Sequence, residues 1–483
     1  MSKSHIIYKD VAPGAAEDAA FSSTAALSAS DLLLAKDRAA AAYITLEHNR
    51  WLLDGSFENL ADNTVAFWSA ELSGEGGKFT TPPSIEIAFD ERYSSVGLTL
   101  VFDRATGEYC TGVNIQWYQG DTLLSSADFT PNAVTYFCEN QVVGYDKIVI
   151  TITETMLPGR RARIDQISFG TLRQFDMTEL RQVQIVNEMD VSSIELPVSN
   201  MSWSIDTRDT VAFMFQLKQP VECWNDDSLI GVYYIDSHKR NGVGRYSISC
   251  NDALGVLDES PFAGGIYTDK SAQALLLEIV DGDFDLLFEV EDTAVTGAIL
   301  ASTKREAMQQ VLFATGWCVS TDGQAEIRVF DLPEEPADLG KGRTFTGVQV
   351  ETSAIVTAVT VLSHTYTQDS NGSVEIGGVK YADTTAEYTV SNPNVTANDK
   401  KNVKEIKNAT LVSPAIGQAV AQRIYDYFLR RNNLTARFVW RGEKLGDCVT
   451  QPTPWDTTET GHLEKMEIRL SNTVVATGEA LGV

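Results

Sequence analysis

Histidine is scarce in this chain. Its five copies, at 5, 48, 238, 364 and 462 of 483 residues, are dispersed. None stands in the H-E-x-x-H or other paired spacing that would hold a metal. Cysteine is nearly as sparse: six residues, at 110, 138, 223, 250, 318 and 448, with no C-x-x-C pair. That excludes a zinc ribbon and a dense secreted disulfide framework, and it points to buried free thiols made in a reducing compartment. Positive charge is in deficit, 38 Lys and Arg against 66 Asp and Glu, for a formal net charge of −28. A duplex binder needs a cationic footprint, so specific nucleic-acid binding is not expected. No apolar run reaches the roughly 20 residues of a helical membrane span. The opening "MSKSHIIYKDVAPGAAEDAA" lacks the basic start and apolar core of a signal peptide, so cytoplasmic synthesis is expected.

What the chain has in quantity is alternation. At 43 % hydrophobic and 22 % charged it reads as a soluble globular protein of several domains. Residues 1–44 are Ala/Ser-rich and read as an arm, with a short helix in "SASDLLLAKDRAAAAY". Over 45–172, "SIEIAF", "GLTLVFDRATGEYC" and "GVNIQWYQGDTLLSSADF" are short strands broken by turn pairs. They predict a jelly-roll-like, galactose-binding-like β-sandwich. Such sandwiches hold sugars with loop aromatics, which makes Trp51, Trp68, Trp117 and Tyr118 possible glycan contacts. The competing reading, that these rings are core, is preferred.

A second β block covers 178–270, with a hairpin at "HKRNGVGR" where Asn241-Gly242 and Gly244 supply the reversal. A small α/β module follows over 271–341. In it, Thr303 and Glu306 have capping-box spacing, Ala307, Met308, Val311 and Leu312 share a helical face, and Gly316 ends the helix. "WCVSTDGQAEIRVFDL" then reads as a hairpin about Asp322-Gly323. The last block, 342–483, returns to strands and holds one long helix over 413–431, with Ser413 as N-cap and Pro414 at the first turn. The fold class is therefore mainly β, multidomain (α+β).

Candidate chemistry is thin. In "RYSISCNDALGVLD" Cys250 alternates with Tyr246 and Ile248, a core set, while Ser247 and Ser249 take the other face. A nucleophilic thiol needs an adjacent base. His238 falls several residues out of register, and Asn251-Asp252 caps a helical turn. "DGDFDLLFEVED" (281–292) lacks the Asp-x-Asp-x-Asp-Gly order of a calcium loop and reads as a solvated loop. "SGEGGKF" has no Ser or Thr after its lysine and is no phosphate loop. Catalytic, cofactor and metal residues are all expected to be absent.

The order of "GVYYI…GRYSISCNDALGVLDESPF.GGIY", "STKREAMQQVLFATGWCVSTDGQAEIRVF", "AQRIYDYFLRRNN…GEKLGDCVT" and "TGHLEKMEIRLSN" resembles the baseplate hub, or tail hub, proteins of tailed bacteriophages and phage-like contractile injection systems, over about 178–483. The resemblance implies two related β-barrels joined by smaller α/β pieces. It implies a homotrimer whose ring joins a sixfold tail tube to a threefold central spike, with a continuous lumen. Tail tube, spike, tape-measure and baseplate wedge proteins are then the expected partners, without specific nucleic-acid or membrane binding. The expected location is the virion tail or baseplate. The front of the chain departs from the simplest hubs. Two other readings stay open: a tail-associated carbohydrate-binding adhesin and a cell-wall-degrading tail enzyme.

Overall fold

The computed structural model describes residues 4–12, 14–28, 47, 66–104, 106–207, 215–226, 228–340, 342–396, 400–470 and 474–482. The helix expected within 28–43 and the expected glycan contact Trp51 lie outside them. The fold is mainly β and divides into two compact units. One is Tyr8–Arg173 with Ala212–Gln219; the other is Met1–Ile7, Gln174–Val211 and Pro220–Val483.

The first unit is a sandwich. Its larger sheet runs Gln166–Ser168, Ser84–Val101, Thr135–Thr155, Cys110–Gln119, Thr122–Phe129, with Ala20–Thr24 also paired to Ser84–Val101. That last strand lies where an arm was expected, and it is an integral part of the sheet. The period-2 pattern explains the burial. Ile85, Ile87 and Phe89, Val113, Ile115 and Trp117, and Ile148, Ile150 and Ile152 all turn inward. They share one cluster with Phe67 and Ile164 of a smaller sheet formed by Ala26–Ser28, Phe67–Ser69 and Arg163–Ile164. Each such side chain stabilises the unit by about 1.5–3 kcal/mol. Gly97 (φ +150°) sits at a register shift of the long strand, where a Cβ would lie 2.2 Å from Cys138 O.

The second unit carries one large, mostly antiparallel sheet. Its order includes Pro220–Asn225, Ser228–Gly242, Arg245–Asn251, Asn200–Asp206, Leu180–Glu188, Thr458–Arg469, Val475–Gly482, Asn432–Val439 and Gln349–Thr352. Ala253–Leu257, Ala272–Val280, Lys304–Thr315 and Gly417–Leu429 are helices whose apolar faces meet in one cluster that includes Leu276, Met308, Leu312, Val420 and Ile424. Lys304–Thr315 has its full capping box: Thr303 Oγ1 accepts from Glu306 N (3.1 Å), and Glu306 Oε2 accepts from Thr303 N (3.1 Å). Gly316 ends it in the left-handed region.

The long helix is shorter than its sequence pattern. Ile416 N and Gly417 N both donate to Ser413 O, a turn that precedes the regular helix, and no side chain caps Gly417–Leu429. The acidic run 281–292 is more than a loop. Leu286–Glu289 is a strand parallel to Ile327–Phe330, which in turn pairs antiparallel with Cys318–Ser320 about Gly323 (φ +73°).

Candidate functional site: a seam joining two strand blocks

The large sheet is two strand blocks sewn together. Leu180–Glu188 and Asn200–Asp206 form an antiparallel pair close in sequence, as do Thr458–Arg469 and Val475–Gly482. The two pairs meet where Leu180–Glu188 runs antiparallel to Thr458–Arg469, in the register Gln184↔Arg469, Ile185↔Ile468, Val186↔Glu467, Asn187↔Met466, Glu188↔Lys465. Core residues line the seam's inner side: Ile185, Asn187, Met466 and Ile468 are all buried. On the other side Lys465 Nζ reaches Glu188 Oε1 (2.5 Å) and Gln184 Nε2 donates to Glu467 Oε1 (3.1 Å). Ion pairs this accessible add little energy; what they do is fix register. Outward residues of the first block are small and polar, with Ser202 opposite Ser249 and Ser204 opposite Ser247.

Beyond the last paired residues the chain continues into a cluster of half-buried charge. Met189 N donates to Glu464 O (2.8 Å). Burial, and then the Asp190 carboxylate, push the Glu464 carboxyl up to about 7, against the weaker pull of Tyr427 and Arg430. Tyr427 OH donates to Glu464 Oε2 (3.4 Å), while Oε1 has no hydrogen-bond partner. Beside it Arg430 Nη1 donates to His462 Nδ1 (2.9 Å) and His462 Nε2 donates to Pro333 O (3.0 Å). Burial lowers the His462 pKa, in keeping with a neutral ring that accepts on one side and donates on the other.

Cys250 is wholly buried. Tyr246, Ile248 and Cys250 are buried as the alternation requires, and Trp203 Nε1 donates to Cys250 Sγ (3.4 Å). Burial pushes its thiol up to about 12, so no thiolate forms near neutrality. His238 pairs with Ile248, closer in register than the sequence count implied, yet it is exposed while the thiol is enclosed. Asp252 caps Ala253–Leu257: Oδ1 accepts from Gly255 N (3.1 Å), and Oδ2 from Ser199 N (3.2 Å) and Thr321 Oγ1 (3.0 Å). In the neighbouring hairpin only Gly244 (φ +67°) takes the left-handed region, while Asn241 and Gly242 lie in the strand.

The remaining expected glycan contacts are placed as follows. Trp117 is wholly buried in the sandwich core and has no surface to offer a ligand. Trp68 is 6 % exposed, with the Arg161 and Arg163 guanidinium groups 5.7 and 5.2 Å from its ring centroid. Tyr118 is half-buried; its OH donates to Gln116 Oε1 (2.7 Å) and Lys147 Nζ lies 4.9 Å from its ring. The three do not converge on one loop. No group of three or more His, Cys, Asp or Glu is placed to hold a metal among the described residues.

Sequence reasoning found the strands of the seam but not the seam itself, nor Glu464 and Tyr427. The partners Gln184 and Glu467 are 283 positions apart. A buried carboxylate on an alternating strand looks like any solvent-facing one.

No protein-family model matches the chain, and no curated protein sequence does. Its fold is similar to solved phage tail structures. The tail protein from Neisseria meningitidis MC58 is 12 % identical, with TM-score 0.47, covering 64 % of this chain and 93 % of its own. The 43 kDa tail protein of prophage MuSo2 from Shewanella oneidensis is 9 % identical, with TM-score 0.46, covering 64 % and 95 %. A chain of the virion of a native gene transfer agent particle is 13 % identical, with TM-score 0.30, covering 86 % and 85 %.

Proposed function

We propose that this chain is a structural tail-hub subunit. Three copies form a ring that joins a sixfold tail tube to a threefold central spike and keeps the lumen continuous. The observation that carries the reading is the seam: two antiparallel strand blocks of one chain fused edge to edge through Leu180–Glu188 and Thr458–Arg469. A chain built this way brings two units of sheet wall, and three such chains bring six. The sequence resemblance over about 178–483 supports the same reading, because it includes Thr458–Arg469 of the seam together with other strands of this sheet.

In this role the chain is non-enzymatic, and the buried Cys250 is a core residue. The tube, spike, tape-measure and wedge proteins are its neighbours in the virion tail, after synthesis in the host cytoplasm. The net charge of −28 suits a wall past which DNA moves without sticking. Mass photometry of the chain mixed with its tube and spike proteins should show a species containing three copies of the 52.9 kDa chain. Only monomers or dimers would refute the reading.

A further inference from the structure

One hairpin of this acidic chain carries an excess of positive charge. Formed by the far half of Ser228–Gly242 and the start of Arg245–Asn251, it holds Lys239, Arg240 and Arg245 against Asp236, with Arg245 Nε already 3.3 Å from Asp206 Oδ2 on the next strand. Residues 236–243 are all exposed, and Val243 at the tip is 86 % exposed. The hairpin is braced. Thr207 N donates to Gly244 O (2.9 Å), Asn241 Nδ2 donates to Ser247 Oγ (2.7 Å), and Arg240 Nε donates to Gly242 O (3.2 Å). Pro220–Asn225 pairs with Ser228–Gly242 only as far as Tyr234. Past that point the outer edge of the hairpin has no strand partner among the described residues.

A surface of opposite character lies in the α/β module. Leu286–Glu289 is an edge strand, paired on one side only among the described residues. Around it Asp281, Asp283, Asp285, Glu289, Glu291 and Asp292 are exposed, and residues 281–292 hold no basic residue. Lys304 takes Asp283 and Arg328 takes Glu289. Leu287 stands out among these charges at 41 % exposed.

We infer that these are the two halves of a head-to-tail contact between copies of this chain: the basic hairpin of one copy docks along the acidic edge strand of the next, with Val243 against Leu287. Charge selects the pairing. Hairpin repels hairpin and edge repels edge, so the contact is heterologous, the kind that closes into a ring when its rotation permits and otherwise runs on as a filament. The side of Leu286–Glu289 that has no strand partner among the described residues also offers backbone donors and acceptors. An apolar residue at the tip suits a protein partner better than a row of phosphates. The closure into a trimer rests on the hub reading above; the contact itself rests on these two surfaces.

All six native cysteines are buried, so an introduced surface thiol is the reactive one. Full-length Val243→Cys and full-length Leu287→Cys chains are prepared separately, mixed and oxidised. A cross-linked dimer is expected in the mixture and in neither preparation alone. Adding Lys239→Glu and Arg240→Glu to the Val243→Cys chain should cut the yield by about tenfold, a loss of about 1.4 kcal/mol. Asp285→Lys with Glu291→Lys in the other chain should restore it. No cross-link in the mixture, or self-linking of either single variant, overturns the inference. So does a gel shift in which Lys239→Glu with Arg240→Glu abolishes duplex DNA retention while the cross-link is absent; the hairpin's partner is then nucleic acid. Trimers with tube and spike proteins but no cross-link would sink this contact and leave the hub reading intact. A cross-link without such trimers would do the reverse.

Discussion

Replacing Glu464 by Gln should stabilise the second unit, and the gain should grow with pH. The Glu464 carboxyl sits just past the seam, raised from its ordinary 4.5 to about 7, first by burial and then by Asp190. A carboxyl raised in the fold binds its proton more tightly there than in the unfolded chain. Its ionisation therefore costs stability, and the cost accrues as pH rises from the unfolded value through 7. At about 1.4 kcal/mol per pH unit the full penalty has a ceiling of about 3 kcal/mol above pH 8, of which about 2.5 kcal/mol is lost between pH 5 and pH 8. Partial contact with water brings the realised figure down to about 1–3 kcal/mol. Gln keeps the shape and the acceptor for Tyr427 OH, and it gives Asp190 a donor in place of a like charge. Urea unfolding at pH 5 and pH 8, followed by tryptophan fluorescence, measures the difference between wild type and Glu464→Gln. Other buried carboxyls are common to both proteins and cancel. Parallel pH dependences, or a variant less stable than wild type at pH 8, would refute the account of this cluster.

Other expectations follow from single contacts. Gly244→Ala should cost about 2 kcal/mol or more, because its φ is +67° and a Cβ would lie 2.0 Å from Thr207 O; thermal melting measures it. All six thiols are buried, so the native chain should leave a thiol reagent such as Ellman's reagent unreacted and release six equivalents on unfolding. Cys250→Ala should lower stability by about 1–2 kcal/mol through a small cavity and the lost Trp203 contact, and it should leave assembly unchanged by mass photometry. Asp252→Ala removes the acceptor of Ser199 N and Thr321 Oγ1 and one of the two acceptors of Gly255 N, with an expected loss of about 2 kcal/mol at pH 5 by urea titration. The loss should shrink at pH 8, because burial raises this carboxyl to about 6 and its ionised form weakens the native fold.

Much of the local structure was legible in the residues. The alternation of Tyr246, Ile248 and Cys250, the capping box of Thr303 and Glu306, and the Asp252 cap are all set by neighbours within a few positions, where period and hydrogen-bonding reach decide the outcome. Reading went astray where tertiary contact overrules local pattern. Leu286–Glu289 became a strand because Ile327–Phe330 offers it a ladder, although its acidic flanks read as a solvated loop. Trp117, by contrast, follows the preferred core reading, because its face of Cys110–Gln119 turns into the apolar cluster shared with Phe67 and Ile164.

By itself, then, the sequence determined the β class, the caps and turns, the inward set on each strand and the burial of the scattered free cysteines, since each follows from side-chain chemistry and short-range periodicity. Only the tertiary structure decided that Leu180–Glu188 lies against Thr458–Arg469, that Glu464 is half-buried beside Asp190, and that Lys239 and Arg240 of one hairpin and the acidic residues about Leu286–Glu289 are exposed. Strand pairing carries no local signature: any alternating strand can hydrogen-bond to any other. The choice among them is made by the summed burial of the whole sheet.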